Sequence, residues 1–217
     1  MGSITRSFAN NITTSGVLLP ASLTNNSIAN VTAYNAAIAT GNMVLISSQT
    51  ASNSASISFT TGINSTYKEY QFYFINIHPR TDGVRFTFNL STDSGSNYNV
   101  TKTTTFFSAI HDEADTVAQL AYESGDDLAQ STSFQNISLS AGSDADQNNV
   151  GILQLFNPSS TTYVKHFINV YNGVSAGDFS CNAFLAGYGN TTSAINAVQF
   201  KMSSGNFDGD ILMYGIV

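Results

Sequence analysis

The sequence predicts an all-β chain: an antiparallel β-sandwich, jelly-roll-like, of about ten strands with an extended N-terminal arm. Three observations predict this. Apolar and polar residues alternate with period two in one short segment after another, the mark of strands with one face buried. Gly-, Asn- and Ser-rich turn chemistry separates those segments, which suits a sandwich rather than βαβ units. The 217 residues suffice for one large domain, or a domain with an arm, and need no disulfide or metal to hold a core.

Taken in order, residues 1–41 are rich in Asn, Thr and Ser. Their apolar residues, including Ile4, Phe8, Ile12, Leu18, Leu19, Leu23, Ile28 and Val31, follow no sustained period. Such a stretch makes no core alone, so it is read as an assembly or anchoring arm ordered against a partner. Residues 42–217 are read as the sandwich head. Within it, Met43–Ser48 is a first strand, and Ser54–Thr60 alternates without a fault. Tyr70–Ile77 is apolar or aromatic at nearly every position, which predicts a strand covered on both sides. Val84–Leu90 sets Val84, Phe86, Phe88 and Leu90 on one face, and Val100–Phe107 follows after the turn Asp93–Asn97.

Residues 111–130 are acidic, and their pattern fits either a short helix or a loop with a strand at Val117–Tyr122. Phe134–Ser140 and Gly151–Phe156 are further strands. Val164, His166, Ile168 and Val170 form one face of the next, opposite Tyr163, Lys165, Phe167 and Asn169. Asn172-Gly173 reads as a hairpin turn before the alternating strand Phe179–Leu185. Val198–Met202, the turn Ser204–Asn206 and Ile211–Ile216 close the chain. In-phase alternation assigns Ile57, Phe59, Phe72, Phe74, Phe86, Phe88, Phe167, Cys181, Leu185, Phe200 and Tyr214 to the core.

Composition excludes several function classes. Lys and Arg number 7 against 14 Asp and Glu, giving a net charge of −7. Nucleic-acid affinity comes mainly from clustered cations, so no nucleic-acid partner is expected. No apolar run approaches the ~18 residues of a membrane span, so no membrane insertion is expected, and the N-terminus lacks a signal peptide's apolar stretch. Charged residues are only 10% of the chain, and Ser, Thr and Asn fill about a third of it instead, far above average usage. That composition accounts for the many N-x-S/T triplets, Asn11, Asn25, Asn89 and Asn190 among them.

The chemical motifs are weak. Gly173-Val-Ser175-Ala-Gly177 matches the nucleophile elbow G-x-S-x-G, but that mechanism needs a following helix and a histidine later in the chain. The three histidines, His78, His111 and His166, all precede Ser175, so a turn between two strands explains the motif better. Asp144-Ala-Asp146-Gln-Asn148 opens like an EF-hand loop, but Asn149 stands where its glycine belongs and Leu155 where its glutamate belongs. His111, Asp112, Glu113 and Asp115 concentrate metal-capable groups without a second His at i+4. Paired carboxylates for glycoside cleavage could come from Asp112, Glu113, Asp115, Glu123, Asp126 and Asp127. Nothing in the pattern singles out a pair. His78 reads as a turn residue before Pro79, His166 as a core histidine, and lone Cys181 as a small core hydrophobe. No catalytic, cofactor-binding or metal-binding residue is assigned, and the chain is read as a non-enzyme. Ser175 and Asp112 are expected in polar loops, where Ser175→Ala and Asp112→Asn leave folding unchanged. Sugar recognition suits the many amides and hydroxyls. Tyr67, Tyr98 and Tyr188 beside turns are the available stacking rings in a chain with no Trp.

Several stretches together resemble one family. They are Met43–Ser52, Ser56–Phe59, Gly62–Tyr70, Phe72–Pro79, Asp93–Tyr98, Phe156–Ser160, Ile195–Phe200, Ser204–Phe207 and Ile211–Ile216, with a weaker likeness over Leu23–Val31. This set is similar to the virion structural proteins of marine and cyanobacterial phages, of tail-fibre or decoration type. The resemblance implies a β-sandwich head, assembly into homo-oligomers (trimers foremost) and display on the virion surface. The apolar residues of the arm, too many for a solvated tail, add the expectation that residues 1–41 attach to other virion proteins, and a host-surface glycan is a further candidate partner. Catalytic residues are not a feature of the family, so none is carried over.

Overall fold

The computed structural model describes residues 42–217, and the expectations for the arm lie outside the described residues. Twelve strands form: β1 (Met43–Ser54), β2 (Ile57–Phe59), β3 (Glu69–Pro79), β4 (Phe86–Ser91), β5 (Lys102–Asp112), β6 (Ala118–Tyr122), β7 (Gln135–Asn136), β8 (Asn149–Phe156), β9 (Lys165–Val174), β10 (Phe179–Gly189), β11 (Ala197–Met202) and β12 (Phe207–Ile216). They make two antiparallel sheets. The larger runs β1-β12-β3-β8-β9-β10-β5-β6 and the smaller β2-β11-β4-β7. The β-sandwich expected from the alternation is therefore present.

The pairing explains how the chain winds. β1 pairs with β12, β2 with β11, β3 with β8, and β4 with β7. These pairs are nested, as though one long hairpin had been rolled up, and they split into β1-β12-β3-β8 and β2-β11-β4-β7. That is jelly-roll topology. The other four strands are two insertions. β5 and β6 lie between β4 and β7, β9 and β10 lie between β8 and β11, and all four extend the first sheet beyond β8.

Between the sheets lies an aromatic core. The Phe200 ring sits 5.3 Å from Phe72, 5.1 Å from Phe74 and 5.9 Å from Phe86, and Phe88 meets Phe167 edge-on at 5.1 Å. Each such ring buries a large apolar surface, and edge-to-face pairs add about 0.5–1.5 kcal/mol beyond area. Ten of the eleven core assignments are buried. Tyr214 is the exception: it points outward from β12 and meets Tyr73 of β3 at 5.4 Å.

Three other expectations change, and one open alternative is decided. β3 is not covered on both sides, since Tyr70, Phe72 and Phe74 are buried while Gln71 and Tyr73 are only half-buried and Ile75 is exposed. Residues 111–130 resolve to the strand alternative, β6, held on β5 by register pairs such as Phe107 with Tyr122. Asn172-Gly173 is no turn but lies within β9, and the chain reverses at Ser175–Asp178 instead. On β9 the apolar face His166, Ile168 and Val170 points out, and the mixed face Lys165, Phe167, Asn169 and Tyr171 points in. Phe167 and Tyr171 fill the core there, while Asn169 donates to the Ile137 carbonyl at 3.2 Å. His166 is therefore an exposed histidine.

A bulge line crosses β1, β12 and β3. Asn53 (φ 51°), Asn76 (φ 51°) and Gly209 (φ 128°) take left-handed backbone there, and the register shifts beside each. Asn tolerates this region through its short side chain, and the Gly209 conformation suits only glycine.

Candidate interaction surface

The residues singled out from sequence are structural in their surroundings. Ser175 is buried within the β9–β10 turn. Its Oγ accepts backbone N–H groups from Gly177 and Phe179, each at 3.3 Å, and its own N–H bonds the Phe179 carbonyl at 3.0 Å. It is thus no exposed loop serine. His78 Nδ1 lies 2.7 Å from the Gln147 carbonyl, and Gln147 in turn donates to Asp178 Oδ1 at 2.9 Å. The imidazole is engaged with this loop network through Gln147. Asp144 closes a turn through its carbonyl, which accepts the Gln147 N–H at 2.9 Å. Asp112 caps the β5–β6 turn, accepting the N–H groups of Thr116 and Val117 at 2.8 Å each. The Thr116 hydroxyl also donates to it, and these bonds hold its carboxyl below the usual carboxylate range. His111 and Asp115 form an exposed pair at 3.2 Å. Among the described residues no three His, Cys, Asp or Glu side chains gather as a metal cage.

Three of the carboxylates considered for glycoside cleavage have other partners. Asp126 is buried and takes Arg85 in a two-pronged contact, with Nε to Oδ1 at 2.5 Å and Nη2 to Oδ2 at 3.2 Å. Asn136 adds a third bond at 2.7 Å. Glu123 accepts from Ser108, and Asp127 from Tyr122, each at 2.6 Å. Cys181 is buried, and burial pushes its thiol pKa up, away from the reactive thiolate.

Sequence reasoning missed the two buried lysines. Lys102 on β5 and Lys165 on β9 both pair in register with Gly189 of β10, so they flank it in one inward row. Lys102 Nζ donates to Asn89 Oδ1 at 2.5 Å and the Val100 carbonyl at 2.8 Å, while Lys165 Nζ reaches the Tyr163 carbonyl at 2.6 Å. Among the described residues no carboxylate neutralises either one, and burial lowers the Lys102 pKa to about 7. Their role is structural. They satisfy carbonyls at the end of the sandwich while their stems pack inward.

The feature with functional reach is the outer face of the eight-stranded sheet. Outward residues fall into register across seven strands. Leu212 pairs with Tyr73, Tyr73 with Ile152 and Ile152 with Val170. Val170 then pairs with Phe184, Phe184 with Phe107 and Phe107 with Tyr122. The Phe107 and Phe184 rings stack at 4.8 Å and 12°. Phe107 is 42% exposed, Val170 45%, Tyr122 56% and Leu120 73%. Beside this ladder, Ile168, Ala186, Thr103, Thr105 and Tyr188 line a depression. Of the three tyrosines near turns, only Tyr188 joins this face, where it meets His166 at 6.0 Å. Tyr67 instead packs edge-on against Tyr70 at 5.8 Å, and the Tyr98 hydroxyl is buried without a partner.

The four inserted strands make this face wide. A four-stranded jelly-roll sheet spans about 14 Å across its strands, whereas eight strands span about 34 Å at ~4.8 Å per spacing. Monomers seldom expose contiguous apolar patches above a few hundred Å² unless they bind something there. A signal for the face is present in the sequence. Phe106-Phe107, Phe184-Leu185, Tyr73-Phe74 and Ile152-Leu153 place apolar residues at consecutive strand positions, so both faces of those strands are apolar.

Scans of protein-family models, curated proteins and solved structures return no match to this chain.

Proposed function

We propose that the chain is a non-enzymatic structural protein of a bacteriophage particle, displayed on the virion surface and assembled with copies of itself. The observation that carries this reading is the broad apolar face built by the inserted strands. A jelly roll needs only eight strands to close its core, and four further strands widening one face suit assembly better than catalysis. The sequence likeness over residues 42–217 to phage structural proteins supports the same reading, with a fibre-type or receptor-facing component foremost. Capsid decoration is the second reading, favoured by the lateral breadth of the face. Residues 1–41 would attach the head to other virion proteins, and a host-surface glycan is a candidate ligand for a fibre-type component.

Quantitative mass spectrometry of purified particles tests the proposal. Tens of copies per particle support a tail appendage and hundreds support decoration. Absence from purified particles overturns both.

A further inference from the structure

We propose that the outer face of the eight-stranded sheet is the contact between two copies of this chain, packed face to face about a two-fold axis. The inference rests on the reading of the chain as a self-assembling structural protein, and it deepens that reading by naming the surface and its occupant.

Charge favours a second copy. The chain carries −7 overall, so two copies repel wherever their carboxylates meet. Across the eight strands the outward positions hold no Lys or Arg, and their carboxylates lie towards the strand ends: Glu69 on β3, and on β12 Asp210, which Thr50 bonds, near Asp208, which Arg80 takes. Two like copies can meet over the uncharged ladder from Tyr73 to Phe107 without bringing like charges together there. An anionic partner would find no Lys or Arg on this face, and a cationic one only the carboxylates near the ends of β3 and β12.

Area favours it too. About 34 Å across the strands and about 24 Å along them give a footprint of about 800 Å² per copy, the usual size for one partner of a stable complex. A three-fold arrangement would divide the face between two neighbours at about 400 Å² each, the class of lattice contacts rather than stable interfaces. A two-fold contact uses the whole face once and is self-complementary, because each ladder lies over its own copy. Sheets packed this way sit about 10 Å apart with their side chains interdigitated. Ile152 and Val170 then lie at the centre with Phe184 beside them, and Phe107, Leu120 and Tyr122 lie towards the rim.

The edge strand β6 is a weaker candidate for the same partner. Its free edge is uncharged, but Asp112, Glu113 and Asp115 precede it and Glu123 and Asp127 follow it. Such flanking charge disfavours edge-to-edge pairing.

The test is sedimentation velocity on the full chain at ~1 to ~50 µM, comparing wild type with Val170→Lys, Phe184→Lys and the loop control Thr161→Lys. Positions 170 and 184 point outward, so neither change opens a core cavity, and near-UV circular dichroism confirms the fold. The expected wild-type mass is twice the 23.1 kDa of the chain. Both face variants should weaken association at least about 100-fold, because each buries an unpaired charge at the interface, and the control should leave it unchanged. A trimeric wild type overturns the inference, as does a dimer that neither face variant disturbs. A monomeric wild type whose stability falls in Val170→Lys also overturns it, by pointing to a segment of the same chain as the occupant. If particles contain the chain but solution mass refutes the pair, the virion reading survives and this inference fails.

Discussion

Replacing Lys102 with Met should abolish a pH dependence that the wild-type fold carries. Lys102 is fully buried, its Nζ donates to Asn89 Oδ1 and the Val100 carbonyl, and burial lowers its pKa to about 7. In the unfolded chain the same amine titrates near ~10.4. Between those values the unfolded state holds the extra proton, so wild-type stability rises with pH through that window. Below pH 7 both states are protonated and the cost of the buried charge is fully present; above ~10.4 it is gone. At ~1.4 kcal/mol per pH unit the ceiling is about 5 kcal/mol, and the two oxygens that solvate the ammonium reduce the expected value to about 2–3 kcal/mol. Met keeps the buried stem and removes the charge. It leaves the Val100 carbonyl without this donor, at about 1 kcal/mol, while Asn89 Oδ1 keeps the Leu90 N–H.

Urea unfolding followed by far-UV circular dichroism at pH 6.5, 8 and 9.5 measures this, and tyrosine ionisation, common to both proteins, cancels in the difference. The wild-type stability minus that of Lys102→Met should climb by about 2 kcal/mol across the range. Cys181 contributes the opposite slope, because burial raises its pKa and stability then falls as the unfolded thiol ionises. That contribution is common to both proteins and cancels in the difference. Parallel pH profiles would refute the reasoning, since the ammonium would then be as well solvated inside as in water.

Further perturbations follow from the same contacts. Tyr171→Phe removes a buried hydroxyl with no partner and should be neutral or stabilising by up to about 1 kcal/mol; a loss above that in thermal unfolding would mean a buried water serves it. Gly209→Ala meets both a φ of 128° and the Asn76 carbonyl, 2.7 Å from the added carbon, and should cost about 2–4 kcal/mol; an unchanged melting temperature would contradict the bulge geometry. Arg85→Met strands the buried Asp126 carboxylate and should cost about 2 kcal/mol in urea unfolding; an unchanged midpoint would contradict the pairing. Ser175→Ala and Asp112→Asn, which read as silent from sequence, should each cost about 1 kcal/mol, because both side chains accept backbone N–H groups of their turns.

The strands were legible because period two is a local property. Segments such as Ser54–Thr60 and Val84–Leu90 carry it whatever their partners, and buried Phe86, Phe88 and Phe200 follow directly. Direction was harder where both faces are apolar. On β9 the residues His166, Ile168 and Val170 look more core-like than Lys165, Phe167 and Asn169, yet the second set points inward. Two aromatic rings fill the core there, and carbonyls satisfy the polar groups beside them, which a single strand's pattern does not record. Tyr214 was misplaced for the same reason. The outer face was not legible as a surface, since its ladder joins residues from Tyr73 to Leu212 and exists only once the register is fixed. The jelly-roll order likewise rests on which distant strands pair.

Hydroxyl-radical footprinting of the full chain tests most directly whether this face is an assembly surface. At ~50 µM, Phe107, Phe184 and Tyr122 should lose labelling relative to ~0.1 µM, while Tyr163, 71% exposed in the β8–β9 loop, should label equally at both. Equal labelling of the ladder residues at the two concentrations would contradict the account.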